Sequence, residues 1–395
     1  FVRRLLLARK WYKGDWWLVM ISAILLFFII LLGIFPQWFA PYDPKEEVGP
    51  SLLKPGEKTP SFLVLVNEAE QEIRFEDIAA QSNKVGYIMG SQAAQAIRDT
   101  VDRLIERSEE EGTDIRYNPR GARFETIEEG LEALSQGEID GFVTSETDLG
   151  DALAQFSDIR VVVELRSSKA ESFVLGTNQL GQAILSRIIW GTRIALIVGL
   201  SSALVSFAIG VPLGLFSGFI GGPIDRIITL IMDSLYTFPG LILAIAIASV
   251  LGAGMGNIIV AIAVIYIPTY YRVVRGQTLT VKNELYVEAA RSLGTKMKTI
   301  LLKYIFPNVL PSVVIIFSVN VADAILTEAG LSFIGLGLPP DTPDWGIDLA
   351  RGQDYLRSAW WLITFPGGMV SLVTLAFSML GESLSEILNP RLSEL

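Results

Sequence analysis

Six mainly apolar stretches punctuate the chain, at 16–35, 194–220, 227–251, 258–272, 309–328 and 360–380. About twenty helical residues at 1.5 Å each cross the ~30 Å hydrocarbon layer of a bilayer. The pattern therefore predicts an α-helical polytopic membrane protein with six transmembrane helices. Between the first and second stretches the rhythm changes. Short apolar runs at 62–66, 85–88, 141–144 and 161–165 read as strands, and 93–107 and 126–136 carry helical spacing, so an α/β domain is expected as an insert. The expected divisions are 1–43 for a cytoplasmic N-terminus and first span, 44–171 for the insert, and 172–395 for a core with five spans.

Charge orients this plan. Arg3, Arg4, Arg9, Lys10 and Lys13 precede the first run and belong on the cytoplasmic side, while Trp11, Trp16, Trp17 and Trp38 suit the two interfaces. A cleavable signal peptide is the competing reading; the length of the run and its lack of a small-residue cleavage site favour an uncleaved span. The numbering opens at Phe1 instead of methionine, so the true N-terminus is expected upstream. Six spans put both termini in the cytoplasm and the insert outside. Arg272, Arg275, Lys282, Arg291, Lys296, Lys298 and Lys303 then share one cytoplasmic loop. Residues 43–171 hold 14 basic and 28 acidic side chains, net −14, against 18 and 14 elsewhere, net +4. No basic stripe points to nucleic acid.

Composition removes several chemistries. The chain has no cysteine and no histidine, which excludes disulfides, thiolate sites, serine–histidine hydrolysis and zinc hydrolysis. No catalytic residue and no metal site is expected. Asp233, Asp323 and Glu328 are costly inside spans unless they face a cavity or a partner, and their places near span ends suggest interfacial roles. Gly199, Gly210, Gly214 and Gly218 suit close helix packing.

One polar, basic stretch lies between apolar runs: Tyr286-Val-Glu-Ala-Ala-Arg-Ser-Leu-Gly294, continuing to Pro307. It reads as two short helices at about 283–303 hinged at Gly294, with Glu288 at the favourable end of the first helix dipole. Glu288, Ala289, Ala290, Gly294 and Pro307 resemble the coupling motif of importer-type ABC permeases, with Tyr304 and Phe306 replacing the usual residues before the proline. The resemblance implies docking of this segment onto a cytoplasmic ATPase.

Phe173-Val-Leu-Gly-Thr-Asn-Gln-Leu-Gly and the residues to Arg193 are similar to a signature of the dipeptide, oligopeptide and nickel permeases. Gly176, Thr177, Gly181, Ser186, Arg187, Gly191 and Arg193 match, and Asn178, Gln182 and Ala183 depart. Phe39-Ala-Pro-Tyr-Asp-Pro44, the stretch from Glu328 to Gly346 and that from Leu380 to Arg391 also resemble this family. It implies a permease subunit of an ATP-driven importer for peptides or similar small polar solutes, in a prokaryotic inner membrane. The implied partners are two cytoplasmic ABC ATPase subunits, a second homologous permease subunit and an extracytoplasmic solute-binding protein. ATP and Mg would be bound by the ATPases, since this chain has no phosphate loop of its own. Alternatives are a nickel or metal importer of the same family, a membrane-anchored solute receptor and an ion-coupled secondary transporter.

Within the insert, Val85-Gly-Tyr-Ile-Met-Gly90-Ser91 reads as a strand leading to a helix start whose amides can hold an anion. Helix, glycine cap and strand follow from Phe124 to Val143. Residues 74–165 resemble one lobe of the solute-binding proteins that serve amino-acid importers. That resemblance implies Gly90 and Ser91 for a ligand carboxylate and Asp140 for its amine; a degenerate docking or gating domain is the other reading.

Overall fold

A computed structural model describes residues 13–59, 61–67, 79, 83–89, 93–110, 119–145, 149, 152–156, 158–166 and 172–388. The chain divides into a helical unit, Phe1–Lys45 with Ile184–Leu395, and a second unit, Glu46–Ala183. In chain order the elements begin with helix α1 (Lys13–Ile34) and strands β1 (Ser61–Asn67) and β2 (Lys84–Ile88). Next come α2 (Ala93–Glu110), β3 (Arg120–Phe124), α3 (Ile127–Ser135), β4 (Gly141–Ser145) and β5 (Ile159–Arg166). The helical unit resumes with α4 (Ile184–Ile220), α5 (Gly222–Thr237), α6 (Gly240–Leu251) and α7 (Met255–Val281). It closes with α8 (Leu285–Ser292), α9 (Phe306–Phe333), α10 (Trp345–Gly352) and α11 (Trp361–Leu388).

The Glu46–Ala183 unit is one five-stranded sheet in the order β3-β2-β4-β1-β5. Strand β2 runs parallel to β3 and β4, while β1 runs antiparallel to β4 and β5. Alternation along β1 supplies both faces of the sheet: Phe62, Val64 and Val66 pack with Ala93, Ala96 and Ile97 of α2, and Leu65 packs with Leu131 and Leu134 of α3. Strand β3 (Arg-Gly-Ala-Arg-Phe) has no apolar run to announce it; it is recruited by parallel pairing with β2.

Residues 172–183 belong to this unit although the hydropathy pattern groups them with the core. Their backbone explains it. Thr177 donates its amide to Leu53 O at 3.0 Å, Leu52 donates to Asn178 O at 3.0 Å, and Val48 donates to Gly181 O at 3.0 Å. The Thr177 hydroxyl accepts from the Leu53 amide at 2.9 Å and donates to Pro50 O.

In the helical unit α1, α4, α7, α9 and α11 contain apolar stretches long enough to cross a membrane. The expected third span at 227–251 is not one helix: α5 and α6 form a pair bent by 93°. Pro239 has no amide proton and disfavours helical backbone at the residue before it, and Phe238 is extended at φ −74°, ψ 137°. The described chain is thus mostly helical, with five to six candidate spans and one α/β unit.

Helix α4 is the hub. On successive turns Gly210, Gly214 and Gly218 meet α7, so an added Cβ at Gly214 would lie 2.8 Å from Tyr271 O and 2.9 Å from Val274 Cβ. At its start Arg187 is buried and bound to Asp348 of α10 at 2.7 Å, with further bonds to Pro44 O at 3.2 Å and Thr342 O at 3.3 Å. Trp345 Nε1 donates to Ile188 O at 3.1 Å, its ring lying against Gly191. Arg187 and Gly191 therefore have structural work within the helical unit.

Candidate coupling site

The segment after α7 alternates buried and exposed positions at helical spacing. Val287 and Ala290 are buried, and Val287 joins a cluster with Tyr270, Val274, Ile300, Ile305 and Val309. The opposite face presents Glu288, Ala289 and two leucines, Leu285 at 81% and Leu293 at 85% exposure. Glu288 lies in the first turn of α8, where its carboxylate meets the positive end of the helix dipole. Tyr286 accepts from Asn308 Nδ2 at 3.2 Å, and burial, with Glu284 nearby, pushes its hydroxyl above the usual tyrosine range. Arg291 stands 5.7 Å over the Phe219 ring.

The helix ends at glycine for a conformational reason. Gly294 has φ +75°, its amide donates to Arg291 O at 3.0 Å, and the Thr295 amide donates to Ala290 O at 3.1 Å. This pair of bonds is the glycine-closed helix end that a residue with a Cβ resists. The second short helix expected beyond the glycine is not separate. Met297–Thr299 turns directly into a wide π-helical stretch, Ile300–Ile305, which continues as α9. Pro307 accounts for the wide turn. It has no amide for the carbonyl four residues back, and the Phe306 amide reaches Leu301 O instead. Pro307 is exposed in the first turn of α9.

Charges within the apolar helices are paired rather than interfacial. Arg275 of α7 grips Asp225 of α5 with two bonds, Nε to Oδ1 at 2.6 Å and Nη2 to Oδ2 at 2.7 Å. Ser217 of α4 donates to the same carboxylate, and the Tyr271 hydroxyl bridges Ser217 at 2.8 Å and Thr229 at 2.7 Å. Sequence reasoning missed this network, because Asp225 and Arg275 are fifty positions apart and only the fold brings them together. One turn before Arg275, Arg272 bonds Asp233 at 2.9 Å and lies 4.0 Å over the Tyr236 ring. Glu328, expected at a span edge, is 1% exposed and accepts from Ser332 at 2.8 Å. Asp344 is equally buried; burial lifts its carboxyl above the usual range, against the opposing bond it accepts from the Ile347 amide at 2.9 Å. Asp323 is exposed on α9.

In the other unit Gly90 and Ser91 lie outside the described residues. Asp140 is not where a partner to them is needed. It precedes β4, and its carboxylate accepts from the Lys84 amide at 2.7 Å, at the first residue of β2. The chain reaches position 90 only after leaving the far end of β2, and β2 and β4 are parallel. Asp140 thus closes the opening end of two strands.

Comparison with known proteins decides the family. Residues 210–394 match the binding-protein-dependent transport system inner membrane component family. A glutathione transport system permease protein of Pectobacterium atrosepticum is 42% identical over 228 residues, 58% of this chain and 76% of that protein. The chain belongs to this family of ABC importer permeases. A second such permease, the di/tripeptide transport system permease protein of Pseudomonas aeruginosa, is 38% identical over 56% of this chain and 73% of its own. An inward-facing structure of the MetNI methionine ABC transporter aligns at 20% identity and TM-score 0.41, over 51% of this chain and 96% of that one. As a permease of the binding-protein-dependent class, the chain is a multi-pass membrane protein. The matched region contains α8 and the network around Asp225.

Proposed function

We propose that the chain is the permease subunit through which an ATP-driven importer moves peptides such as glutathione or dipeptides. On this reading α5 and α6 count as one broken span, giving six, with both termini in the cytoplasm and the Glu46–Ala183 unit outside. Two ATPase subunits bind α8, and a second homologous permease completes the path. ATP and Mg belong to the ATPases. The observation that carries the reading is α8 itself, a short helix anchored by Val287 and Ala290 with Leu285, Glu288 and Leu293 free on its outer face. A rigid element with a protruding apolar rim suits a groove on another protein. Basic Arg291, Lys296, Lys298 and Lys303 around it support a cytoplasmic position. The peptide assignment is supported by the names of the two relatives.

The outer unit is read as a docking or gating domain for a separate binding protein, since Asp140 is engaged in the sheet. Glu288→Lys reverses the charge on the exposed face, and Gly294→Asp strains a left-handed position. In the reconstituted importer both variants are expected to reach the membrane and to lose ATP-driven uptake of labelled glutathione and dialanine. Wild-type uptake by both would refute the docking role of α8.

A further inference from the structure

Helix α5 is held to its neighbours in an unusual way. Of its sixteen residues only Asp225 and Met232 are buried, while Ile224, Ile227, Leu230 and Ile231 are exposed. What fastens it is the charged network, with Asp225 at 7% exposure inside a two-point guanidinium grip. Ser217, Tyr271 and Thr229 extend the network so that α4, α5 and α7 share it. At the same end Lys282 donates to Gly218 O, the last turn of α4, at 2.8 Å.

The link from α7 to α8 is stiff. The amides of Lys282, Asn283 and Glu284 are all bonded back into α7, to Thr278, Thr280 and Val281 carbonyls at 2.9, 3.3 and 3.1 Å, and α8 starts at the next residue. On the other side, α8 joins α9 through left-handed Gly294, extended Lys296 and the wide turn at Ile300–Ile305. A push on α8 is therefore passed to α7 with little slack.

We propose that Asp225 and Arg275 are positioning residues for transport: their bond makes α5 follow α7 when α8 moves, and so carries the stroke into the bent α5–α6 pair. The inference rests on the reading of α8 as the ATPase-docking element. Without the bond, Met232 and the half-exposed Arg272–Asp233 pair are the attachments left to α5, and α7 moves without it. The energetic condition is that the two transport states differ in the position of α5, so that the bond supplies coupling between sites.

The test uses the full complex, with its ATPase and second permease subunits, in proteoliposomes, and reads uptake of labelled glutathione per ATP hydrolysed. Arg275→Met is expected to lower that ratio about tenfold while ATP hydrolysis continues. Arg275→Lys, which keeps the charge and loses the fork, should fall between Met and wild type. Uptake and hydrolysis falling in proportion, or an unchanged ratio, would overturn the proposal and indicate a merely structural bond. Should Arg275→Met fail to reach the membrane, Tyr271→Phe decides, since it removes only the bridging hydroxyl. It is expected to lower the ratio by roughly two- to fivefold, and a wild-type ratio would overturn the proposal. Absence of ATP-dependent uptake by the wild-type complex would instead bring down the permease reading on which the proposal depends.

Discussion

Arg187→Met is the substitution whose cost the structure fixes best. The arginine is 2% exposed and the Asp348 side chain 11%, so water screens the pair little. Four contacts are lost together: Nε and Nη2 to Asp348 at 2.8 and 2.7 Å, Nη1 to Pro44 O and Nη2 to Thr342 O. Methionine fills much of the volume, which isolates the electrostatic loss. Burial already pushes the Asp348 carboxyl upward and Arg187 opposes it, so the widowed carboxyl is left to take up a proton. Removing one partner of a buried pair costs about 3–5 kcal/mol. The expected loss is at the low end, about 3 kcal/mol, because a protonated Asp348 no longer carries a bare charge. Unfolding in mixed SDS micelles, followed by tryptophan fluorescence, measures it. Adding Asp348→Asn to the variant should cost little more, since the two act as one unit. A loss under about 1 kcal/mol, or additive costs in the double variant, would refute the argument.

Three further outcomes follow from other parts of the molecule. Gly214→Val forces α4 away from Tyr271 O and Val274, and an unfolding penalty of about 1–3 kcal/mol is expected by the same assay. Thr177→Val removes bonds to Leu53 and Pro50, and hydrogen exchange at the Leu53 amide should accelerate as its buried partner disappears, at a cost of about 1–3 kcal/mol. Asp344 has a folded-state carboxyl raised by burial, so the folded chain binds its proton more tightly than the unfolded chain does. Its contribution is full below the unfolded value of about 4 and declines as pH rises toward the raised value. Asp344→Asn should flatten the fall in stability with rising pH, and an unaltered slope would assign it elsewhere.

The helices that cross most of the unit were legible because twenty apolar residues leave few alternatives. So was the end of α8, since Gly294 marks the position where only a left-handed residue closes the turn. The break between α5 and α6 was written in Phe238-Pro239 but masked by apolar residues on both sides, which average out in any hydropathy window. Strand β3 carried no signal of its own, because two of its five residues are arginines and pairing with β2 makes it. Asp140 was misassigned by spacing alone; a residue before a strand sits at the strand's opening end, and β2 and β4 run the same way. The wide turn before Pro307 and the grip of Arg275 on Asp225 depend on how distant segments meet, and no local pattern encodes either.

The break at Pro239 has a consequence for what can touch it. A helix start leaves its first amides without partners in the helix, and in α6 Leu243 is the residue that donates back to Pro239 O, at 3.0 Å. The amides just before it open onto a surface where Phe238, Leu241 and Ile242 are more than half exposed. Hydrocarbon tails cannot hydrogen-bond those groups, and each one left bare in lipid costs several kcal/mol. The side chains there look suited to lipid while the backbone is not. The elbow is a patch that only water or another polypeptide can cover.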